Sequence, residues 1–172
     1  MSSSVRFSTR WWLRLLAELL LFLAVLLAVE WFMTRHAARG PAPPLAAVQT
    51  DGRGVDVRNL QGRPALVYFW AAWCPVCTAQ QSAIDGVLGD TPSITVTMRS
   101  GGQAEIREHL KQAGLNWPVI DDADGAISAR WGVSGVPAAF VLDADGRIRF
   151  VTRGYTTALG LRVRLWLASR DL

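Results

Sequence analysis

The chain has 172 residues, carries 18 Lys and Arg against 14 Asp and Glu for a net charge of +4, and is 51% hydrophobic with only 2 cysteines. That length holds one domain plus an appendage and is enough to bury a core. The positive excess does not mark a nucleic-acid surface: Arg6, Arg10 and Arg14 precede the first apolar run, Arg35 and Arg39 follow it, and the other arginines form no basic stripe with interleaved aromatics.

From Trp11 to Met33 the chain is dominated by leucine, alanine, valine and aromatics. As a helix this stretch spans about 34 Å, adequate for a hydrocarbon core. Its uncharged centre, Leu19 to Val29, is short enough for a secretory signal, but the bulky Val29-Glu30-Trp31-Phe32-Met33 offers no small-x-small cleavage site, which favours a retained anchor. Trp11, Trp12 and Trp31 suit the two membrane interfaces, and the arginine asymmetry favours a cytoplasmic N-terminus. The expected layout is a cytoplasmic segment over residues 1–10, a transmembrane helix over 11–33, a Pro/Ala-rich linker over 34–47 and a folded domain over 48–172. Within the linker, Arg39-Gly40-Pro41-Ala42-Pro43-Pro44 has the composition of an extended, semi-rigid spacer.

In the domain, Val55 to Leu60 reads as an edge strand or hairpin between the turn signals Asp51-Gly52 and Gln61-Gly62. Ala65 to Trp70 is β-branched and aromatic and predicts a buried strand, and residues 75–88 show helical spacing through Val76, Ala79, Ala83 and Val87. Ser93 to Met98 predicts the next parallel strand and Gln103 to Ala113 an amphipathic helix, with His109 on its solvated side. Asp121-Asp122-Ala123-Asp124-Gly125 lacks the alternating ligands and closing glutamate of a calcium loop and reads as a turn and cap. A short helix from Ala126 to Trp131, strands over Ala138 to Leu142 and Arg147 to Thr152 turning at Asp145-Gly146, and a helix from about Thr157 to Leu167 complete the chain.

Both cysteines lie in Trp73-Cys74-Pro75-Val76-Cys77, at the end of the buried strand. Pro75 suits the first helical position, which places Cys74 at the helix N-cap. There its sulfur faces unpaired N–H groups and the positive end of the helix dipole, which favour thiolate over thiol. Cys74 is therefore the expected attacking sulfur and Cys77, one turn inside, the resolving one. Structural zinc would need four protein ligands, and beyond this pair the chain offers only His36 and His109. A purely structural disulfide across so short a loop would constrain the unfolded chain little. With no spare thiol to mispair, the pair suits an oxidising compartment.

A strand leading into W-C-x-x-C at a helix start, followed downstream by Gly135-Val136-Pro137-Ala138-Ala139-Phe140-Val141-Leu142-Asp143, resembles the thioredoxin superfamily. The lead-in Asn59-Leu60-Gln61-Gly62-Arg63-Pro64 is similar to that of its membrane-anchored TlpA/ResA/ScsD-like branch. The resemblance implies an α/β, thioredoxin-like three-layer sandwich, a mixed β-sheet flanked by helices. It also implies that Pro137 is cis and lies against the sulfurs, with Val136 and Pro137 as a substrate-binding ledge. Trp73, Pro75 and Val76, which border Cys74, are expected to contact clients there. Where classical thioredoxins carry a buried aspartate in the central strand, this chain has Tyr68, a poor base near neutral pH. It also has uncharged Thr78-Ala79-Gln80-Gln81 where many tethered reductases place charges.

The function these features imply is a membrane-tethered, extracytoplasmic thiol–disulfide oxidoreductase, in the inner (cytoplasmic) membrane with its domain in the periplasm or extracytoplasmic space. Its expected partners are client proteins with thiols or disulfides and a membrane protein that donates or accepts thiol electrons. The chemistry calls for no organic cofactor or metal. The resemblance favours a reductase. A DsbA-like oxidant is the alternative, although the spacing before Pro137 leaves no room for the helical insertion usual there. A membrane-tethered Cu(I)-binding module would use the same thiolates, but the only methionines are Met1, Met33 and Met98.

Overall fold

The computed structural model describes residues 9–170, so Arg6 and most of the expected cytoplasmic segment lie outside the described residues. The chain divides into two units after Arg35. The first holds helix α1, Thr9–Thr34. Its residues Trp11–Val29 are long and apolar enough to cross a membrane. All of their side chains are exposed. A helix that is apolar all round needs an apolar surrounding, such as the hydrocarbon core of a bilayer.

The second unit is organised on strand β4, Ala65–Trp70. All six of its residues are buried. Successive side chains of a strand point to opposite faces. Here Leu66, Tyr68 and Trp70 enter one core while Ala65, Val67 and Phe69 enter the other. A continuous apolar run is what a strand covered on both faces requires. β4 lies parallel to β5 (Ser93–Met98), which lies parallel to β6 (Val119–Asp122). On its other side β4 is antiparallel to β7 (Ala138–Leu142), and β7 to β8 (Arg147–Arg153). Helices α2 (Pro75–Ala79), α3 (Gln81–Leu88) and α4 (Gln103–Gln112) are the crossovers between the parallel strands. With right-handed connections all three fall on one face, which α6 (Ala158–Ala168) also covers through Leu161 and Leu165. Helix α5 (Ala126–Arg130), Trp131 and Val133 lie on the opposite face. This is the three-layer sandwich the sequence implied.

Four details differ from the sequence reading. First, the proline-rich stretch over 34–47 is not a free spacer, because its residues from His36 onwards belong to the folded unit. Gly40–Pro41 forms edge strand β1 against Ile148 and Arg147 of β8. Ala38 N–H donates to the Trp131 carbonyl (3.0 Å), and Ala37 and Leu45 are buried. Proline is as compatible with a sheet edge as with a spacer, since an edge strand leaves N–H groups unpaired anyway. Second, of the edge strand or hairpin expected over Val55 to Leu60, a hairpin forms across the expected turn but its strand stops at Asp56. Gly54–Asp56 (β3) pairs with Ala46–Val48 (β2) across the Asp51-Gly52 turn, whereas Val57–Leu60 is a 3₁₀ turn. The Asp56 carboxylate accepts from Arg58 N–H (2.8 Å) and starts that turn in place of the ladder. Third, helix 75–88 breaks at Gln80, whose φ of −105° and ψ of 4° separate α2 from α3. Fourth, β6 stands where only a turn was expected. Its last residue, Asp122, is also the cap: its carboxylate accepts from Ile127 N–H (2.9 Å) and Ser128 N–H (2.8 Å).

Candidate active site

The register of the central strands brings the two halves of the site together. Phe69 of β4 pairs with Ala138 of β7, and the strands are antiparallel. The residues leaving β4, Ala71 to Cys74, therefore run beside those entering β7, Val136 and Pro137. At β4 the strand order also divides, with β5 and β6 to one side and β7 and β8 to the other. In open α/β sheets, ligand crevices form outside the carboxyl ends of strands at such a point.

Cys74 is the N-cap of α2, with extended backbone, and Pro75 opens the helix. Its sulfur accepts the backbone N–H of Cys77 at 3.3 Å and lies 3.6 Å from the carbonyl oxygen of Val136, to which its thiol donates. Both cysteines are free thiols. Cys74 is 5% exposed and Cys77 1%. Burial, reinforced by the hydrogen bond with Cys74, holds the Cys77 thiol well above its ordinary pKa. The Val136–Pro137 peptide bond is cis. The Pro137 carbonyl is taken by Gly154 N–H at 2.9 Å, so the loop is fastened from β8.

Of the residues singled out in the sequence, Cys74, Cys77, Val136 and Pro137 thus converge. Trp73, Pro75 and Val76 are exposed at the start of the same helix, and Val136 is half-buried. Trp73 is 58% exposed, and its indole N–H donates to the Arg99 carbonyl at 3.0 Å. Ser100 Oγ accepts Ala72 N–H at 3.0 Å, so the loop after β5 clips the turn that carries Cys74. Cys74 therefore opens through a small window with an apolar rim. His109 is only half-buried and carries no contact to the sulfurs; it lies over the Trp70 ring, centroids 5.5 Å apart, and meets Gln81 Nε2 at 3.1 Å.

Gln80, which sequence reasoning noted only for its lack of charge, is fully buried. Its Nε2 donates to Tyr68 Oη (2.8 Å) and its Oε1 accepts Thr156 N–H (2.9 Å). The available signal was its position three residues after Cys77, a polar side chain on the inward face of the helix. Burial holds the Tyr68 phenol well above its ordinary pKa, with the neighbouring thiols adding to the shift against the opposing Gln80 bond. Tyr68 is accordingly a hydrogen-bonding group rather than a base.

A mixed sheet sandwiched by helices, with a C-x-x-C pair capping the helix after its central strand, places the protein among the thioredoxin-like thiol–disulfide oxidoreductases. More particularly, the chain belongs to the AhpC/TSA family, whose sequence pattern matches residues 38–151. It is 28% identical over 153 residues to a thioredoxin-like protein of Haemophilus influenzae, covering 88% of this chain and 91% of the relative. It is likewise 28% identical over 169 residues to the thiol:disulfide interchange protein DsbE of Escherichia coli, covering 88% of each. To the thiol-disulfide oxidoreductase ResA of Bacillus subtilis it is 25% identical over 120 residues, 67% of each chain. Among solved structures, it superposes on a secreted Mycobacterium tuberculosis disulfide oxidoreductase described as homologous to E. coli DsbE, with a TM-score of 0.62 and 28% identity, covering 72% of this chain and 95% of that one.

Proposed function

We propose that this protein is a membrane-anchored, extracytoplasmic reductase of protein disulfides. The observation that carries the reading is the Cys74 sulfur, set at the N-cap of α2 between Cys77 N–H and the Val136 carbonyl at the mouth of the site. Cys74 thiolate attacks a client disulfide, forming a Cys74–client bond and releasing one client sulfur as thiolate. Cys77 then attacks the Cys74 sulfur, closing Cys74–Cys77 and releasing the second client sulfur. Two electrons pass from the protein to the client, and the proton of Cys77 ends on a client thiol. An extended client segment lies on the ledge of Val136 and Pro137, against Trp73, Pro75 and Val76. No organic cofactor or metal takes part.

The likeness to a thiol:disulfide interchange protein and a thiol-disulfide oxidoreductase supports exchange at this pair, and the resemblance to the TlpA/ResA/ScsD-like branch favours the reducing direction. Helix α1 supplies the anchor. Its flanking arginines favour a cytoplasmic N-terminus, which sets the domain on the extracytoplasmic side of an inner membrane, and the oxidised pair is then recharged by a membrane protein that carries thiol electrons. The test is the reduction potential of the Cys74/Cys77 couple in the full chain, held in detergent and equilibrated with glutathione buffers. A value near about −270 mV agrees with a reductant, and one near about −120 mV makes the protein an oxidant of the DsbA type. A pair that binds Cu(I) stoichiometrically and does not cycle would overturn the enzyme reading.

A further inference from the structure

The two hydrogen bonds of Gln80 decide where the Tyr68 hydrogen points. Thr156 contributes a backbone N–H, which can only donate, so the Gln80 atom facing it is the carbonyl Oε1 (2.9 Å). The amide nitrogen is then the atom turned to Tyr68 Oη (2.8 Å), and it can only donate. Tyr68 Oη accepts there and keeps its own hydrogen for another acceptor. The phenol is 1% exposed, so water does not supply that acceptor freely. Tyr68 belongs to the same buried cluster as both cysteines. Of the groups packed around it, Trp117 meets its ring edge-on at 6.2 Å and offers no acceptor, because its indole N–H is a donor engaged by Asp85 (2.8 Å). Cys77, 1% exposed, lies in that cluster with Tyr68, and both thiols, Cys77 before Cys74, push the phenol's pKa up.

We infer that Tyr68, oriented by Gln80, donates its phenolic hydrogen to the Cys77 sulfur as that sulfur becomes a thiolate, and so promotes the resolving step. This inference rests on the exchange reading above. The balance of the step is unchanged. Cys77 loses its proton to solvent, its sulfur bonds to Cys74, the Cys74–client bond breaks, and the departing client thiolate takes a proton from solvent. Tyr68 stays protonated throughout and lends a hydrogen bond to the buried anion, where the aspartate of classical thioredoxins would exchange a proton. Gln80 is a positioning residue that acts through Tyr68. The Thr156 contact also links this pair to the ledge, since Gly154, two residues earlier, holds the Pro137 carbonyl.

The experiment is single-turnover reaction of the reduced full chain, in detergent, with 5,5′-dithiobis(2-nitrobenzoate). Attack by Cys74 releases one coloured thiolate and resolution by Cys77 releases the second, so the two steps appear as separate phases. In Tyr68→Phe the first phase should keep its rate. The second should slow by about tenfold to a hundredfold, the worth of a hydrogen bond to a charged group, and its pH midpoint should rise. Because the chain has 2 tyrosines, 3-fluorotyrosine can be confined to position 68 in a Tyr155→Phe background. The more acidic phenol should move the second-phase midpoint down, opposite to Phe, which a merely space-filling ring would not do. A second phase with the wild-type rate and pH midpoint in Tyr68→Phe, or a fluorotyrosine midpoint that does not fall, overturns the inference while leaving the exchange reading intact. Absence of a second phase in the wild-type chain overturns both.

Discussion

Gly132→Ala tests whether the segment after the apolar helix is part of the fold. Gly132 has φ +67°, in the left-handed region, where an alanine is disfavoured by about 1–2 kcal/mol. An added Cβ would overlap the His36 carbonyl, at 2.8 Å from its carbon, and would sit 3.1 Å from Ala37 Cα. These are backbone atoms and cannot rotate aside. The segment must move, breaking the Ala38–Trp131 bond, worth about 1 kcal/mol, and lifting Ala37, which is 6% exposed, off the core. With about 1 kcal/mol more for exposing the Ala37 methyl, the loss is about 3–4 kcal/mol, a large share of the ~5–15 kcal/mol that holds a domain. Urea unfolding of the full chain in detergent, followed by tryptophan fluorescence, measures it. Hydrogen exchange at Ala38 should rise in step. A loss below about 1 kcal/mol, with Ala38 still protected, would refute the packing of residues 36–38 against Gly132.

Two further outcomes follow from the thiols. Cys77→Ser should stop after the first step and accumulate a Cys74–client mixed disulfide, whereas Cys74→Ser should form none. Mass spectrometry after incubation with a disulfide-bonded peptide distinguishes them, and a stable adduct on Cys77 in the Cys74→Ser chain would reverse the assignment. The raised Cys77 pKa also carries a sign. The folded, reduced form holds a proton that the unfolded chain gives up near a thiol's usual pKa of about 8.5, so the stability of the reduced form is full below that pH and falls as pH rises towards the folded value. For the same reason the reduction potential should keep falling by at least about 30 mV per pH unit up to pH 10, one proton per two electrons. A potential that levels off near pH 9 would show that Cys77 has lost its proton.

Much of the site was legible because it is local. The run Ala65 to Trp70, Pro75 at a helix start and two cysteines three positions apart fix a strand, an N-cap and a thiol pair through short-range geometry. The four central strands β4, β5, β7 and β8 were likewise readable from apolar patterning. The misreadings have local causes too. Asp56 diverts its segment into a 3₁₀ turn, and the two aspartates at 121 and 122 disguise an edge strand as a loop.

By itself, then, the sequence determined which residues are chemically equipped to act: a cysteine at a helix N-terminus, a second one turn on, a proline before a later strand, and an apolar helix able to cross a membrane. The tertiary structure decided which groups meet. The Phe69–Ala138 register sets Val136 against Cys74, residues distant in the chain. The kink at Gln80 turns one amide between Tyr68 and Thr156. Glycine at position 132 admits a proline-rich stretch to the sheet edge that composition alone reads as a spacer. Each of these depends on register or on the hydrogen-bonding direction of a buried group. Local propensity does not carry that information, because both are set only when distant segments close on a common core.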